Sequence, residues 1–411
     1  MAYNDVLYLL KIGELILKGG NRKEFERILR RNLATMLKGS GAQINDTNGR
    51  IYVRCGEDVI TKVEDVLNHL CGITAYARAY STEKNIESIL QKITELAKQI
   101  TSCASAEKTL SRCGGGTQTS IVVKTFKVDA RRTDKSFPFD SYKICCAAGD
   151  AITRALPHLK VSLYAPDITF SVEIREKAYI YAGQNKGLRG LPVGSAARGM
   201  LLLSGGIDSP AAGFLMALRG MKINAVYFHS YPYTTDEARC KVIELANIVG
   251  RYTMGINLNI VSLTDVQLKI KDASPPEWST ILLRMAMMEI ASAIAKIQKC
   301  KCLITGESLS QVASQTIENI TCTQSKATLP VMRPLIGLDK ESITDIARKI
   351  GTYETSILPY PDCCVLFSPP HPVLRAKIDE ATELYNGLQL GSLIREAIDT
   401  RTVQKCAYSC C

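Results

Sequence analysis

The sequence predicts an α/β protein, a doubly wound parallel sheet over residues 200–395 preceded by two smaller α+β domains of ferredoxin and related type. Three observations predict it. From Met200 onward, short apolar runs alternate with helix-length amphipathic stretches. The strands fall at 200–203, 223–228, 255–262, 302–304 and near 329–332. The helices fall at 210–219, 235–249, 279–298, 309–319 and 340–350. Short continuous apolar runs of this kind suit strands buried on both faces of a parallel sheet. Before this region the elements follow a different order, strand, helix, hairpin, helix, strand, which is the ferredoxin-like arrangement. Between the two lies 184–199, where Gly187, Gly190 and Gly194 give linker composition.

The N-terminal elements follow in order. Tyr3 to Ile12 alternates as a strand. Asn21 is placed to cap a helix running to about Leu37, whose basic face holds Arg22, Lys23, Arg27, Arg30 and Arg31. Ile44 and Ile51-Tyr52-Val53 flank Asn48-Gly49, a hairpin signal. A helix over 58–70 and a strand over 75–80 complete the first domain, residues 1–75. A second domain, 76–183, holds a helix at 86–100, an exposed Ser/Thr/Gly loop at 101–120, a strand at 121–126, a helix at 141–155 and a strand at 168–174. Its segment Arg131 to Phe139 interleaves Arg131, Arg132 and Lys135 with Phe137 and Phe139, a mixture suited to phosphate contacts beside a base-stacking surface. Residues 396–411 read as a loosely ordered tail.

Charge is unevenly placed. Residues 1–199 hold 30 Lys and Arg against 20 Asp and Glu, and residues 200–411 hold 21 against 20, so the two parts carry +10 and +1. The basic part points to a polyanion partner. No apolar run reaches the roughly 20 residues that span a bilayer, so no membrane partner is expected. Met-Ala-Tyr-Asn-Asp lacks the basic start of a signal peptide. The fifteen cysteines therefore read as reduced thiols of a cytoplasmic protein. Cys145-Cys146 on a helix and Cys300-Lys301-Cys302 on a strand read as structural. No second Cys or His pair has zinc spacing, so no metal held by the protein alone is expected.

The most informative stretch is 200–214, Met-Leu-Leu-Leu-Ser-Gly-Gly-Ile-Asp-Ser-Pro-Ala-Ala-Gly-Phe. A buried strand runs into a glycine turn, and Pro210 sits where a helix can begin. Glycines let backbone N–H groups converge, and the helix dipole adds positive potential, so the turn suits phosphate. Asp208 fits such a site if it binds Mg²⁺ that the phosphates also bind. Neither a Walker-type loop nor a Gly-x-Ser-x-Gly elbow is present. The motif resembles the PP-loop of the ATP pyrophosphatases, which implies cleavage between the α and β phosphates of ATP.

Several further segments, in order, resemble the tRNA 4-thiouridine synthetases, the tRNA sulfurtransferases of the ThiI type. They are Gly13 to Arg22, Arg154 to Val161 with Val172 to Glu176, Gly190 to Ser195, and Pro361-Asp362-Cys363-Cys364-Val365-Leu366-Phe367-Ser368. The resemblance implies a ferredoxin-like domain, a THUMP RNA-binding domain and a PP-loop domain, without a rhodanese domain. It implies that O4 of uridine 8 in tRNA is adenylated with Mg²⁺-ATP and replaced by sulfur. A cysteine persulfide supplies the sulfur, charged by a cysteine desulfurase. Sulfur passage to a carrier protein for the thiamine thiazole and a homodimer are further implications.

Residue by residue, the resemblance implies Cys364 as the persulfide thiol and Cys363 as its neighbour. Leu202, Leu203, Ser204, Gly205, Gly206, Asp208 and Ser209 form the nucleotide loop. Tyr227, Phe228, Arg284, Gly306 and Gln315 match nucleotide contacts, and Lys340 matches a cation for the transition-state phosphates. Ser310 stands where the family usually has Gly. Arg22, Lys23, Arg131, Arg132 and Lys135 are the expected RNA contacts. Two other readings start from the same residues: a PP-loop enzyme that amidates or ligates a small molecule, and an RNA-binding protein with an inactive ATPase. The first leaves the basic N-terminal part and the Asp362-Cys363-Cys364 loop unexplained, and the intact Ser204–Ser209 motif opposes the second.

Overall fold

The computed structural model describes residues 6–14, 20–47, 49–104, 123–360, 369 and 371–406. The chain divides into two compact units, residues 1–22 with 33–189, and residues 23–32 with 190–411. The elements up to residue 189 are β1 (Val6–Ile12), α1 (Arg22–Met36), β2 (Gln43–Thr47), β3 (Arg50–Cys55), α2 (Ile60–His69), β4 (Ile73–Thr82), α3 (Ile86–Ala104), β5 (Thr125–Arg132), α4 (Ser141–Ala155), β6 (Lys160–Val161), β7 (Ile168–Ile174), β8 (Ala178–Ala182) and β9 (Asn185–Lys186).

These strands form one sheet, ordered β2-β3-β1-β4-β8-β7-β5-β6, with β9 also paired to β4. The hairpin expected around Asn48-Gly49 is present as antiparallel β2 and β3, and Gly49 takes φ +73°, a conformation open to glycine. Asn48 itself lies outside the described residues. β4 is the joint of the sheet: Ala79 pairs with Leu7 of β1 on one side and Tyr181 of β8 on the other. β8 was not foreseen, because Ala178-Tyr-Ile-Tyr-Ala182 is a five-residue run with no turn signal of its own.

Four expectations in this unit need correction. The strand expected over 121–126 begins at Thr125 and continues to Arg132, so Arg131 and Arg132 lie on a strand. The base-stacking surface is not presented. Phe137 is 4% exposed and packs, with Phe139, against the cluster of Ile89, Ile93, Phe126, Ile144 and Phe170. Burying a phenyl ring in an apolar core gains more than leaving it in water to await a base. Arg132 Nη1 donates to the Phe137 carbonyl at 2.9 Å and so fastens this loop, while Arg131 and Lys135 remain exposed. Asn21 likewise makes no side-chain cap bond at α1. The 101–120 loop is replaced by helix as far as Ala104, and residues 105–122 lie outside the described residues.

The second unit holds β10 (Arg198–Leu202), α5 (Asp208–Leu218), β11 (Lys222–His229), α6 (Asp236–Thr253), β12 (Ile256–Ser262), α7 (Thr264–Ala273), α8 (Ser279–Ile297), β13 (Cys302–Ile304), α9 (Ile317–Gln324), β14 (Val331–Met332), α10 (Lys340–Ile350), α11 (Tyr353–Ser356), α12 (Ile378–Gly387), α13 (Gly391–Asp399) and β15 (Thr402–Cys406). The sheet order is β14-β13-β10-β11-β12-β15, parallel except for β15. Each face carries a core. One is built on α8, apolar almost all round because α9, α12 and α13 pack on the sides turned from the sheet. The other lies under α5, α6 and α10.

Here too the structure departs from the reading of the sequence. The helix expected at 309–319 is a loop and a short turn, and α9 begins only at Ile317. Ser310 takes φ +61°, which stops a helix, and Thr316 caps α9 by accepting from the Asn319 N–H. The tail expected to be loose is partly ordered, since Thr402–Cys406 pairs antiparallel with β12 and buries Cys406. Cys410 and Cys411 lie outside the described residues.

Glu173 on β7 is 3% exposed. It accepts from Arg50 Nη2 at 2.8 Å, Tyr181 Oη at 2.9 Å and Arg175 Nε at 3.2 Å. Burial opposes its charge, but Arg50 foremost, then Tyr181 and Arg175, hold its carboxyl below the ordinary value. Its stabilisation is therefore present above the unfolded carboxylate pKa and lost as pH falls through the lower folded value. Glu173→Ala is expected to destabilise the unit by about 2–4 kcal/mol at pH 7. The deficit should shrink as the pH is taken below about 4, read by urea unfolding at several pH values.

Candidate active site

The site begins where β10 ends. Leu202 and Leu203 lead into the 204–207 turn, and α5 starts at Asp208. The turn is internally braced: the Ser204 N–H donates to Ser209 Oγ at 2.9 Å, and the Gly206 N–H to Ser204 Oγ at 3.3 Å. Ile207, the N-cap of α5, brings no side-chain acceptor to the first turn of the helix. The positive end of α5 therefore faces the turn without a protein side chain capping it, the arrangement that suits an anion.

A cavity of about 260 Å³ opens at the carboxyl ends of the parallel strands. Leu202, Leu203, Ser204, Asp208, Ser209, Tyr227, Phe228, Arg284, Gly306 and Gln315 line it. Of the residues expected to bind nucleotide, Gly205 and Gly206 are not among its lining. Met287, Met288, Thr305 and Glu307 line it as well and were not foreseen. For the methionines a signal existed: they stand three and four positions after Arg284 on α8, hence on the same face. Leu202, Phe228 and the two methionines give an apolar wall, and the loop and Arg284 give a polar one. Gln315 is 7% exposed, and its Oε1 is buried without a hydrogen-bond partner. A buried acceptor left open in a cavity calls for a donor on the ligand, such as an amino group.

Asp208 and Lys340, 132 positions apart, meet at this site. Lys340 Nζ lies 2.6 Å from Asp208 Oδ1, and Gln311 Nε2 donates to Asp208 Oδ2 at 2.9 Å. Asp339 caps α10 by accepting from the Ser342 N–H, and this fixes the backbone from which Lys340 projects. Among the described residues no cluster of three His, Cys, Asp or Glu could hold a metal ion. Mg²⁺ needs no such cage. It keeps several waters and binds through one carboxylate plus phosphates, a demand that Asp208 fits. His229 stacks against Tyr227 with ring centroids 6.3 Å apart. Burial, helped by Arg239, pushes its pKa down, so it is neutral near pH 7.

The expected RNA contacts fall on two stretches. Arg22 and Lys23 open α1, with Lys23 exposed, while Arg131 and Arg132 end β5 and Lys135 lies in the loop after it. On α1, Arg27 is already paired with Glu24 at 2.6 Å. Cys363 and Cys364 lie outside the described residues. Among the described cysteines, burial pushes Cys300 and Cys406 up to about 11 and Cys71 up to about 12, which makes them poor nucleophiles. Cys300 and Cys302 are both buried, Cys302 on β13 and Cys300 just before it.

Gly306 ends β13's turn against the start of α5. A Cβ there would stand 2.7 Å from the Ser209 nitrogen and 2.8 Å from the Asp208 carbonyl carbon. Both are backbone atoms and cannot swing aside. Gly306→Ala is expected to push the turn and α5 apart, weakening ATP binding by about tenfold or more and destabilising the fold by about 1–3 kcal/mol. Calorimetric titration with ATP and thermal unfolding read the two effects.

The family described as thiamine biosynthesis protein (ThiI) matches residues 194–390. The ThiI ferredoxin-like domain matches residues 7–77 and the THUMP domain residues 83–182. The chain is 46% identical over 404 residues to a probable tRNA sulfurtransferase of Treponema pallidum (strain Nichols), covering 98% of this chain and 96% of the relative. It is 44% identical over 380 residues to a probable tRNA sulfurtransferase of Caldanaerobacter subterraneus subsp. tengcongensis, covering 92% and 94%. A crystal structure of a 4-thiouridine synthetase–RNA complex with bound ATP superposes with a TM-score of 0.86 at 34% identity, covering 97% of this chain and 99% of that one. A ferredoxin-like start, a THUMP domain and a PP-loop unit in this order, with relatives matched along nearly their whole length, place the chain in the tRNA sulfurtransferase family.

Proposed function

We propose that the chain is an ATP-dependent tRNA sulfurtransferase that converts uridine 8 to 4-thiouridine in the cytoplasm. The observation that carries this reading is the cavity built on the Ser204–Ser209 turn, in a chain whose solved relative is a 4-thiouridine synthetase with RNA and ATP bound. Adenine occupies the apolar side formed by Leu202, Phe228, Met287 and Met288, and its exocyclic amine meets the open acceptor of Gln315. The phosphates lie over the turn and the start of α5, within reach of Arg284. Mg²⁺, when bound, neutralises phosphate charge and makes pyrophosphate a better leaving group.

Uridine O4 attacks the α phosphate, pyrophosphate departs, and the base is left as an adenylate. Lys340 balances the charge that develops on the phosphates. The terminal sulfur of a Cys364 persulfide then attacks C4 and AMP leaves, two easier steps in place of one difficult exchange. A cysteine desulfurase charges Cys364, and Cys363 is the adjacent thiol able to attack Cys364 Sγ in the remaining S–S bond. This releases the thiouridine sulfur and leaves a Cys363–Cys364 disulfide that an external thiol, such as the cysteine supplied, reduces. Residues 76–183 present the RNA, with Arg131 and Lys135 on phosphates. A homodimer and sulfur passage to a carrier for thiamine thiazole synthesis complete the proposal.

The test supplies tRNA, Mg²⁺-ATP, cysteine and a desulfurase, and follows pyrophosphate and 4-thiouridine. Pyrophosphate release that depends on tRNA, with thiolation of one uridine, is expected. Cys364→Ser should keep pyrophosphate release and lose thiolation, whereas Lys340→Ala should slow pyrophosphate release by roughly a hundredfold. Release that ignores tRNA, or no thiolation by the unmodified chain, sinks the reading.

A further inference from the structure

Glu307 is the most enclosed charged group of the cavity wall, 2% exposed, and no feature of its sequence context marks it. Its carboxylate accepts from Arg284 Nη2 at 2.5 Å, Arg333 Nε at 2.7 Å and Thr305 Oγ1 at 2.9 Å. Burial disfavours its charge, but Arg284 and Arg333 override this and keep its carboxyl below the ordinary value. The two arginines are not equivalent. Only Arg284 lines the cavity. Arg333 turns away, with Nη1 on Gln324 Oε1 at 2.7 Å and Nη2 buried without a partner.

Arg284 is held at a second point, where Nη1 donates to Ser314 Oγ at 2.8 Å. A guanidinium pinned through two nitrogens has its plane fixed before any ligand arrives, so little rotamer freedom remains to be lost on binding. Charge matters as much as geometry. One arginine on one carboxylate is a neutral pair and offers little to an anion. Two arginines on one carboxylate leave a net positive charge, and the free face of that charge is Arg284's.

We propose that Glu307 and Ser314 are positioning residues of the nucleotide site, which orient Arg284, and that Arg333 offsets Glu307 so that the Arg284 charge stays available to the nucleotide. This rests on the reading of the cavity as an ATP site. None of the three needs to touch the nucleotide. They act through Arg284, and their effects should vanish once Arg284 is gone.

The test is a double-mutant cycle on the full chain, reading ATP dissociation constants by calorimetry and thermal midpoints alongside. Ser314→Ala is expected to weaken ATP about three- to tenfold, and Glu307→Gln about tenfold or more, from lost preorganisation. In an Arg284→Met background, each should change ATP affinity by less than about twofold. Ser314→Ala should leave the thermal midpoint where it is. If Glu307→Gln does not fold, the Ser314 cycle alone decides. Parental affinity in the single variants, or equal weakening with and without Arg284, overturns the proposal. Failure of the unmodified chain to bind ATP instead overturns the nucleotide reading and this inference with it.

Discussion

The site depends on one close approach. β10 and β13 are parallel neighbours, with Leu201 opposite Ile304, so the turns that follow them leave the sheet side by side. Gly306 in the second turn lies against the backbone of Asp208 and Ser209 in the first, with no room for a Cβ. That contact brings the Ser204–Ser209 turn, the start of α5 and the 305–307 segment after β13 into one wall. It also puts the Asp208 carboxylate and the Thr305–Glu307 network on neighbouring elements, although they arrive from different crossovers of the sheet.

Around this contact the charged groups are paired. Asp208 meets Lys340 and Gln311, and Glu307 meets Arg284 and Arg333. The two arrangements differ in what they prepare. Lys340 is half exposed, so its pair with Asp208 is partly solvated and contributes little to stability. Glu307 is enclosed, so its pairs are fixed and the guanidinium it holds is presented in one orientation. A partly solvated ion pair at the turn and an enclosed one on the wall thus border the same cavity.

The basic first unit shows the limits of a charge pattern. Arg131, Arg132 and Lys135 look alike in the sequence, yet Arg132 ties down the loop carbonyl of Phe137 while its two neighbours face water. The phenylalanines between them belong to a core. Composition registered that this part of the chain is positive. It could not separate cations that hold the fold from cations that remain for a partner, because that depends on which backbone groups lie within reach.

The sequence by itself determined the alternating α/β order from Met200, the strand–turn–helix of the phosphate turn and the ferredoxin-like start, because these rest on periodicity and on residues close together in the chain. The resemblance it carries also pointed to ten of the cavity's lining residues, among them Tyr227, Phe228, Arg284, Gly306 and Gln315, but not to Met287, Met288, Thr305 or Glu307. The tertiary structure alone decided the rest. β15 has no apolar run and exists by pairing with the edge of β12. Glu307 gained its role from Arg333, 26 positions away, and Asp208 from Lys340, 132 positions away. Hydrogen bonds and ion pairs between residues far apart in the chain carry no trace in local pattern. They are set by which strand ends the sheet order places next to each other.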